Sequence, residues 1–509
     1  MRFNGFVDFL IELLADIKMK FIYILSLCLL INAMLFVWIQ PPGFAPDEPW
    51  HFLSANSASE KLFSGKDENC TRENALINHF EVESIKFNYS KKISSHKYEE
   101  VKNLSKSCYS YKSAILGVTA LSYPNVLISK LILPINENPL RIYLFSKLIN
   151  WMFLAIVLFR LCFHIRSKGR ISPPFLASIF VCMFSPLFAQ QAVAVTYDNH
   201  VFSFLIMLIS VFLFSEIWTY FDFALFIILG SFSMFAKPVL APIILSLLIY
   251  RIVLLVIPFR ETDFFLSQIK KILKDKLILI CGLLLICAFM RQGLFRGEIP
   301  TEVQLRLTSQ KNFFLQHWSE LIAVFWDSIN VHMKPSAFTG NVGWLDTPIG
   351  EQWSVYKYVF RASLAVDALV CGLWLSRAKD LDKLWRSLLM SCCYAVFFIS
   401  VIWALNFVIA YELFTSWTKP NAVVLEGLQT RYFIPQFILQ ICVLSFVTRK
   451  VLPSFESEAA SRTTPSGISN SLFSLKMKTA IAWCACFPLT IFLVSLSLSL
   501  GISILERYY

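Results

Sequence analysis

Residues 21–54 read FIYILSLCLLINAMLFVWIQPPGFAPDEPWHFLS. The run from Phe21 to Ile39 is almost wholly apolar, and soon after its end stand two adjacent carboxylates, Asp47 and Glu48. Roughly twenty apolar residues let a helix cross the hydrocarbon core of a bilayer. The run has that length, lacks a small-residue cleavage site, and follows a lead containing Arg2, Lys18 and Lys20. It therefore reads as an anchor that leaves the N-terminus in the cytoplasm. The rest of the chain has the same character. It is 56% hydrophobic and 16% charged, with 48 phenylalanines in 509 residues and a mean hydropathy of +0.61, against about 25% charged in an ordinary soluble domain. These values specify an all-α polytopic membrane protein.

Apolar runs give about eleven spans, at 20–39, 141–163, 173–190, 199–217, 221–236, 238–257, 277–291, 354–376, 386–410, 432–448 and 479–502. Lysine and arginine favour cytoplasmic loops. With the N-terminus inside, Arg166, Lys168 and Arg170 fall inside, as do Lys270, Lys271, Lys274 and Lys276, and then Arg377, Lys379, Lys383 and Arg386. The C-terminus falls outside. Much of the net charge of +12 is thus a topology signal, and nucleic-acid binding loses its support. Segment 113–135 is apolar but interrupted by Pro124, Asn125 and Lys130, and reads as an interfacial element that does not cross. The run 221–259 divides at Lys237-Pro238 into two helices with Lys237 at the outer turn. The organisation expected is a cytoplasmic N-terminus (1–19), a transmembrane domain (20–450), a polar cytoplasmic linker (451–478), and a last helix and tail (479–509). Two large outer loops, 40–140 and 292–353, interrupt the domain.

The more suggestive polar residues gather on the outer side. Asp47 suits the cap of a helix beginning at Glu48, with Pro49 in its first turn where no amide is missed. His51 follows one turn on. Thr196-Tyr197-Asp198-Asn199-His200 forms a second polar turn, with Asp198 as its acid. Lys237 is a cation at a helix end. GNVGWLDTPIG, at 340–350, supplies Trp344 and Asp346 in a long loop, and EGLQTRYFIP, at 426–435, supplies Arg431 and Tyr432. Capping, snorkelling and ordinary turns compete with a functional role at each of these places. Asp367 is read as the one acid well inside a membrane run, serving packing or helix pairing. Cys70 and Cys108 are the two cysteines of the long polar stretch after the first span, and would pair if that stretch is extracytoplasmic. No HExxH or CxxC pattern is present, and a divalent metal on Asp47 and Glu48 stays open.

Taken in order, these residues resemble a bacterial branch of the GT-C superfamily of membrane glycosyltransferases. The matching features are Pro46 to Phe52 (PDEP.HF), Asp198, Lys237-Pro238, Gly343 to Thr347 (GWLDT), and Arg431 to Pro435 (RYF.P). The branch usually carries glycine where this chain has Thr430, and the tail beyond 450 matches nothing in it. Phage-type O-antigen glucosyltransferases are a weaker similarity. The resemblance implies a GT-C-like fold in a bacterial inner membrane, with the C-terminus periplasmic. It also implies transfer of a sugar from a polyprenyl-phosphate donor to a cell-surface glycan such as O-antigen of lipopolysaccharide, among membrane lipids and beside flippase and donor-synthesising partner proteins. Asp47 would be the base and Glu48 its orienting or metal-binding partner. Lys237 and Arg431 would clamp phosphate, while His51, Asp198, Trp344, Asp346 and Tyr432 would bind substrate. A transporter, flippase or polymerase for lipid-linked glycans is the rival reading; a transporter would place ionisable residues near the bilayer midplane.

Overall fold

The computed structural model describes residues 22–45, 47–64, 70–80, 96–101, 107–108, 123–133, 138–168, 183–196, 199–204, 301–333 and 406–415, with short pieces elsewhere that include 221–222, 228–230, 233, 402–404, 418–419 and 432–433. The described structure is mostly helical. Its departure from an all-helical chain is one antiparallel ladder, β1 (Cys70–Thr71) with β2 (Ser107–Cys108).

Helix α1 (Ile22–Trp38) buries Leu25, Leu29, Ala33, Phe36 and Val37, while Ile24, Leu27, Ile31 and Trp38 are exposed. A helix apolar on both its buried and its exposed face suits lipid rather than water. Pro41, Pro42 and Gly43 then reverse the chain: the Phe44 amide donates to the Pro41 carbonyl at 3.3 Å, and Gly43 has φ 81°. Proline followed by a glycine at positive φ is the central pair that a type II turn requires. Helix α2 (Glu48–Ser64) begins where the acidic pair predicts, with Pro49 inside its first turn. Around the ladder lie α3 (Arg72–His79) and α4 (His96–Glu100).

Helix α5 (Pro124–Ile132) starts after Tyr123, with Pro124 at its first position. Its nine residues rise only about 14 Å, well short of a ~30 Å hydrocarbon core. The described part of the ambiguous segment 113–135 therefore does not cross as a helix. Asn138 caps α6 (Pro139–Lys168), its Oδ1 accepting from the Leu140 amide at 2.9 Å. Among the described residues α6 is the helix long and apolar enough to cross a membrane. Met152, Ile156, Phe159 and Phe163 form an exposed apolar stripe at three- and four-residue spacing, and Tyr143, Ser146, Lys147, Asn150, Leu154, Val157 and Leu161 are buried behind it. Serines 129 and 146 meet at 2.9 Å between α5 and α6. Helix α7 (Pro186–Val193) is capped by Ser185 Oγ, which accepts from the Phe188 amide at 3.2 Å.

The expected outer loop 292–353 contains α8 (Thr301–Gln316) and α9 (Trp318–Met333). Leu321, Phe325 and Ile329, four residues apart, pack with Ala410 and Phe414 of α10 (Ile402–Thr415) and with Phe433. Gln310 Nε2 donates to the Thr418 and Lys419 carbonyls at 3.2 and 3.0 Å, satisfying backbone just past the end of α10. The rest of the eleven expected spans lies largely outside the described residues.

Candidate functional site

The turn between α1 and α2 is built around the acidic pair. Glu48 donates its amide to the Ala45 carbonyl at 3.1 Å, and Ala45 donates its own amide to Glu48 Oε2 at 3.1 Å. This reciprocal exchange has the logic of a capping box. It closes the loop over residues that are fully buried, Phe44 and Ala45. Asp47, in the same bend, is half-buried, at φ 62°. Its carbonyl accepts from the His51 amide at 3.0 Å, which starts α2 and makes Asp47 the capping position by backbone. A left-handed residue with a Cβ costs roughly 1–2 kcal/mol, and aspartate and asparagine are among the few types that visit the region routinely.

Glu48, by contrast, is fully buried. Its Oε1 accepts from the Val195 amide at 2.8 Å, and Lys147 Nζ stands 3.7 Å from the same oxygen. Val195 is free to donate because α7 has ended: Ala194 is extended, and Asn150 Nδ2 donates to the Val193 and Ala194 carbonyls at 3.2 and 2.9 Å. Lys147 also donates to the Phe36 carbonyl at 3.4 Å and lies 4.9 Å from the centre of the Tyr143 ring. The Tyr143 hydroxyl accepts from the Gly43 amide at 3.3 Å and faces the Glu48 carboxylate. One carboxylate therefore ties the end of α1, the start of α2, α6 and the loop after α7. A buried charge needs such a partner and such donors, since unpaired it would cost several kcal/mol.

His51 is buried one turn into α2, its Nδ1 2.7 Å from the Tyr123 hydroxyl at the start of α5. Phe52 packs edge-on against Tyr143 at 5.3 Å. Asp47, Glu48 and His51 are thus brought to one bend. Tyr432 belongs to the second cluster, packed with Leu428 and Leu425 against α9 and α10. Asp198, Lys237, Trp344, Asp346 and Arg431 lie outside the described residues, although Val195 and Asn199 on either side of the Asp198 turn are described. Among the described residues no three histidines, cysteines or acids gather as a metal site. Lys147 already brings positive charge to Glu48.

Sequence reasoning missed Lys147, and with it a second buried charge cluster. Arg160 donates through Nε to Asp222 Oδ1 at 2.8 Å and through a second nitrogen to the same oxygen, while His164 Nε2 lies 3.0 Å from it. The boundary at residue 163 is corrected here: α6 continues to Lys168, and His164 is a buried helical residue rather than the start of a loop. Charged residues inside a membrane run were the available signal. Lys147 and Arg160 both lie in the run 141–163, and Asp222 opens the run 221–236.

The backbone register also sets Cys70 directly opposite Cys108. No curated protein and no solved structure is detectably similar to the chain. A family model described as predicted membrane protein (DUF2142) matches residues 30–442, most of the chain's length, and the chain belongs to that family.

Proposed function

We propose that the protein is a membrane glycosyltransferase, moving a sugar from a polyprenyl-phosphate donor to a cell-surface glycan at the extracytoplasmic face of a bacterial inner membrane. The observation that carries this reading is the division of labour in the acidic pair. Glu48 is fully buried and serves the frame, whereas Asp47 is half-buried in the same bend, in a backbone conformation that the Glu48 frame holds. Strain kept in place by its surroundings is a motive for proposing function. Asp47 is the general base: its carboxylate takes the proton of the acceptor hydroxyl as that oxygen attacks the anomeric carbon, and the polyprenyl phosphate departs with the bonding pair. Lys237 and Arg431 stabilise the leaving phosphate, and Asp198, Trp344, Asp346 and Tyr432 bind sugar and acceptor. Glu48, Lys147 and His51 are positioning residues. This reading involves a glycan acceptor and lipid-linked donor as partners, and leaves a divalent metal as an addition to be tested.

Four buried amides in the segments that build this frame support a hydroxyl-rich ligand. Gln40 precedes the turn, Asn125 follows Tyr123, and Gln191 and Asn199 flank Val195. Their side-chain polar atoms make no hydrogen bond among the described residues. Buried amides of this kind are satisfied by ordered water or by ligand. A flippase reading is less well supported by α6. Its middle falls near residue 153, and Lys147 and Arg160 stand about 10 Å to either side of it at 1.5 Å per residue. Each of the two is matched to an acid, with neither at the centre.

The test is structural analysis of the surface polysaccharide with the gene, without it, and with Asp47→Asn. A sugar present only with the active gene, and missing in the variant although the protein inserts, supports the reading. Unchanged glycan structure with reduced export in the deletion strain would support the flippase instead.

A further inference from the structure

Cys70 and Cys108 have no part in the reaction proposed above, yet they open and close one segment. Each lies in a strand of two residues, and the antiparallel register pairs Cys70 with Cys108 and Thr71 with Ser107. Directly opposed residues in such a pair have Cα atoms about 4.5 or 5.5 Å apart, according to the hydrogen-bonding pattern. Both separations fall in the roughly 4.4–6.8 Å that a disulfide bridges. A ladder this short is far below the usual strand length of about five or six residues, so it has little strength of its own.

The described part of the segment it closes has a small core. Its described buried apolar residues are Ala75, Leu76, Ile77, Phe80, Ile93 and Val101. Further inside, His79 Nε2 lies 2.7 Å from the Lys97 carbonyl, Lys97 Nζ donates to the His79 carbonyl at 3.1 Å, and the Phe80 and Tyr98 rings meet at 4.9 Å. A short segment held at its ends by a ladder of two residue pairs is the kind that gains from a covalent tie.

We propose that Cys70 and Cys108 form a disulfide that clasps residues 70–108, and that this segment therefore stands in an oxidising compartment. The two thiols lose two protons and two electrons as the S–S bond forms. A more oxidising protein disulfide of that compartment accepts the electrons and leaves as a dithiol. Cys28 and Cys162 are different, being thiols within α1 and α6, with Cys162 Sγ 3.2 Å from Ser26 Oγ.

The full chain is trapped in its native membrane with acid, denatured, and treated with a polyethylene-glycol maleimide before and after reduction. The chain has 13 cysteines, and the wild type gains two added labels on reduction. Cys70→Ser and Cys108→Ser gain none, and a non-reduced digest of the wild type contains the peptide pair joined through Cys70 and Cys108. No gain in the wild type overturns the proposal, as does a gain that persists in either single variant. The digest decides the matter from the wild type alone if the variants fail to insert.

Discussion

Lys147→Met tests whether the Glu48 frame is held by charge pairing. Methionine keeps a long unbranched stem and removes the ammonium. Across the 3.7 Å between Nζ and Oε1, attraction at an effective dielectric of about 20 amounts to roughly 4 kcal/mol. Losing the bond to the Phe36 carbonyl costs about 1 kcal/mol more. Glu48 keeps two amide donors, which offsets part of the loss. The expected net cost is about 3 kcal/mol, at the low end of what removing one partner of a buried pair produces. Adding Glu48→Gln removes the stranded charge, so the double variant should be less damaged than the two single losses summed. The assay is thermal unfolding of the detergent-solubilised full chain, followed by loss of the monodisperse peak. Many-span proteins need not unfold in two states, so the ordering of the melting temperatures is the readout. Lys147→Met melting with the wild type, or a double variant falling by the full sum, would refute a coupled pair.

Asp47→Asn should melt with the wild type, because asparagine also accepts positive φ, while transfer to the glycan falls by about a hundredfold or more, as loss of a general base predicts. Asp47→Ala should in addition lose about 1 kcal/mol of stability from the left-handed backbone, seen as a lower melting temperature than Asp47→Asn. Tyr123→Phe removes one hydrogen-bond partner of the buried His51 ring and should cost about 1 kcal/mol, again read by melting. Asp222→Asn strands the Arg160 guanidinium and should destabilise by about 3 kcal/mol, a loss that Arg160→Met in the same chain partly relieves.

Apolar helices were legible where long apolar runs dominate, and α1 and α6 appear where hydropathy puts them. The far end of α6 was not, because the helix passes through His164 by pairing it with Asp222, a partner far away in the chain. Hydropathy counts that residue as polar and stops. The helices α8 and α9 fall within an expected loop because neither is long and apolar enough to span. Leu321, Phe325 and Ile329 repeat every fourth residue, and that spacing was the signal available. At the site, the acidic pair and the start of α2 were visible in PDEPWHF. Lys147 was not, since one lysine is averaged away among its apolar neighbours. The opposition of Cys70 and Cys108 is likewise a matter of register, to which spacing along the chain gives no access.

Contacts along α6 fix which segment ends share a side of the membrane, without fixing which side it is. Ser26 meets Cys162 and the Phe36 carbonyl meets Lys147, so α1 and α6 are antiparallel. Glu48 and Val195 join the Lys147 end, and Asp222 joins the Arg160 end. Ser233 then donates to the His200 carbonyl at 3.2 Å, five residues beyond Val195. Val195 thus sits at the Lys147 end and Asp222 at the Arg160 end, while Ser233 meets the residue five beyond Val195. The clasped segment leaves from α2, which begins at Glu48, and returns through α5, whose Ser129 meets Ser146 next to Lys147. Its return root, Tyr123 at the start of α5, meets His51 in the first turn of α2, at the Lys147 end. A disulfide there puts the Asp47 bend on the oxidising side, where a lipid-linked sugar donor would meet a surface glycan. Two free thiols, labelled by a maleimide only after the cytoplasmic face is opened, would place the bend in the cytoplasm and remove the extracytoplasmic reaction proposed for it.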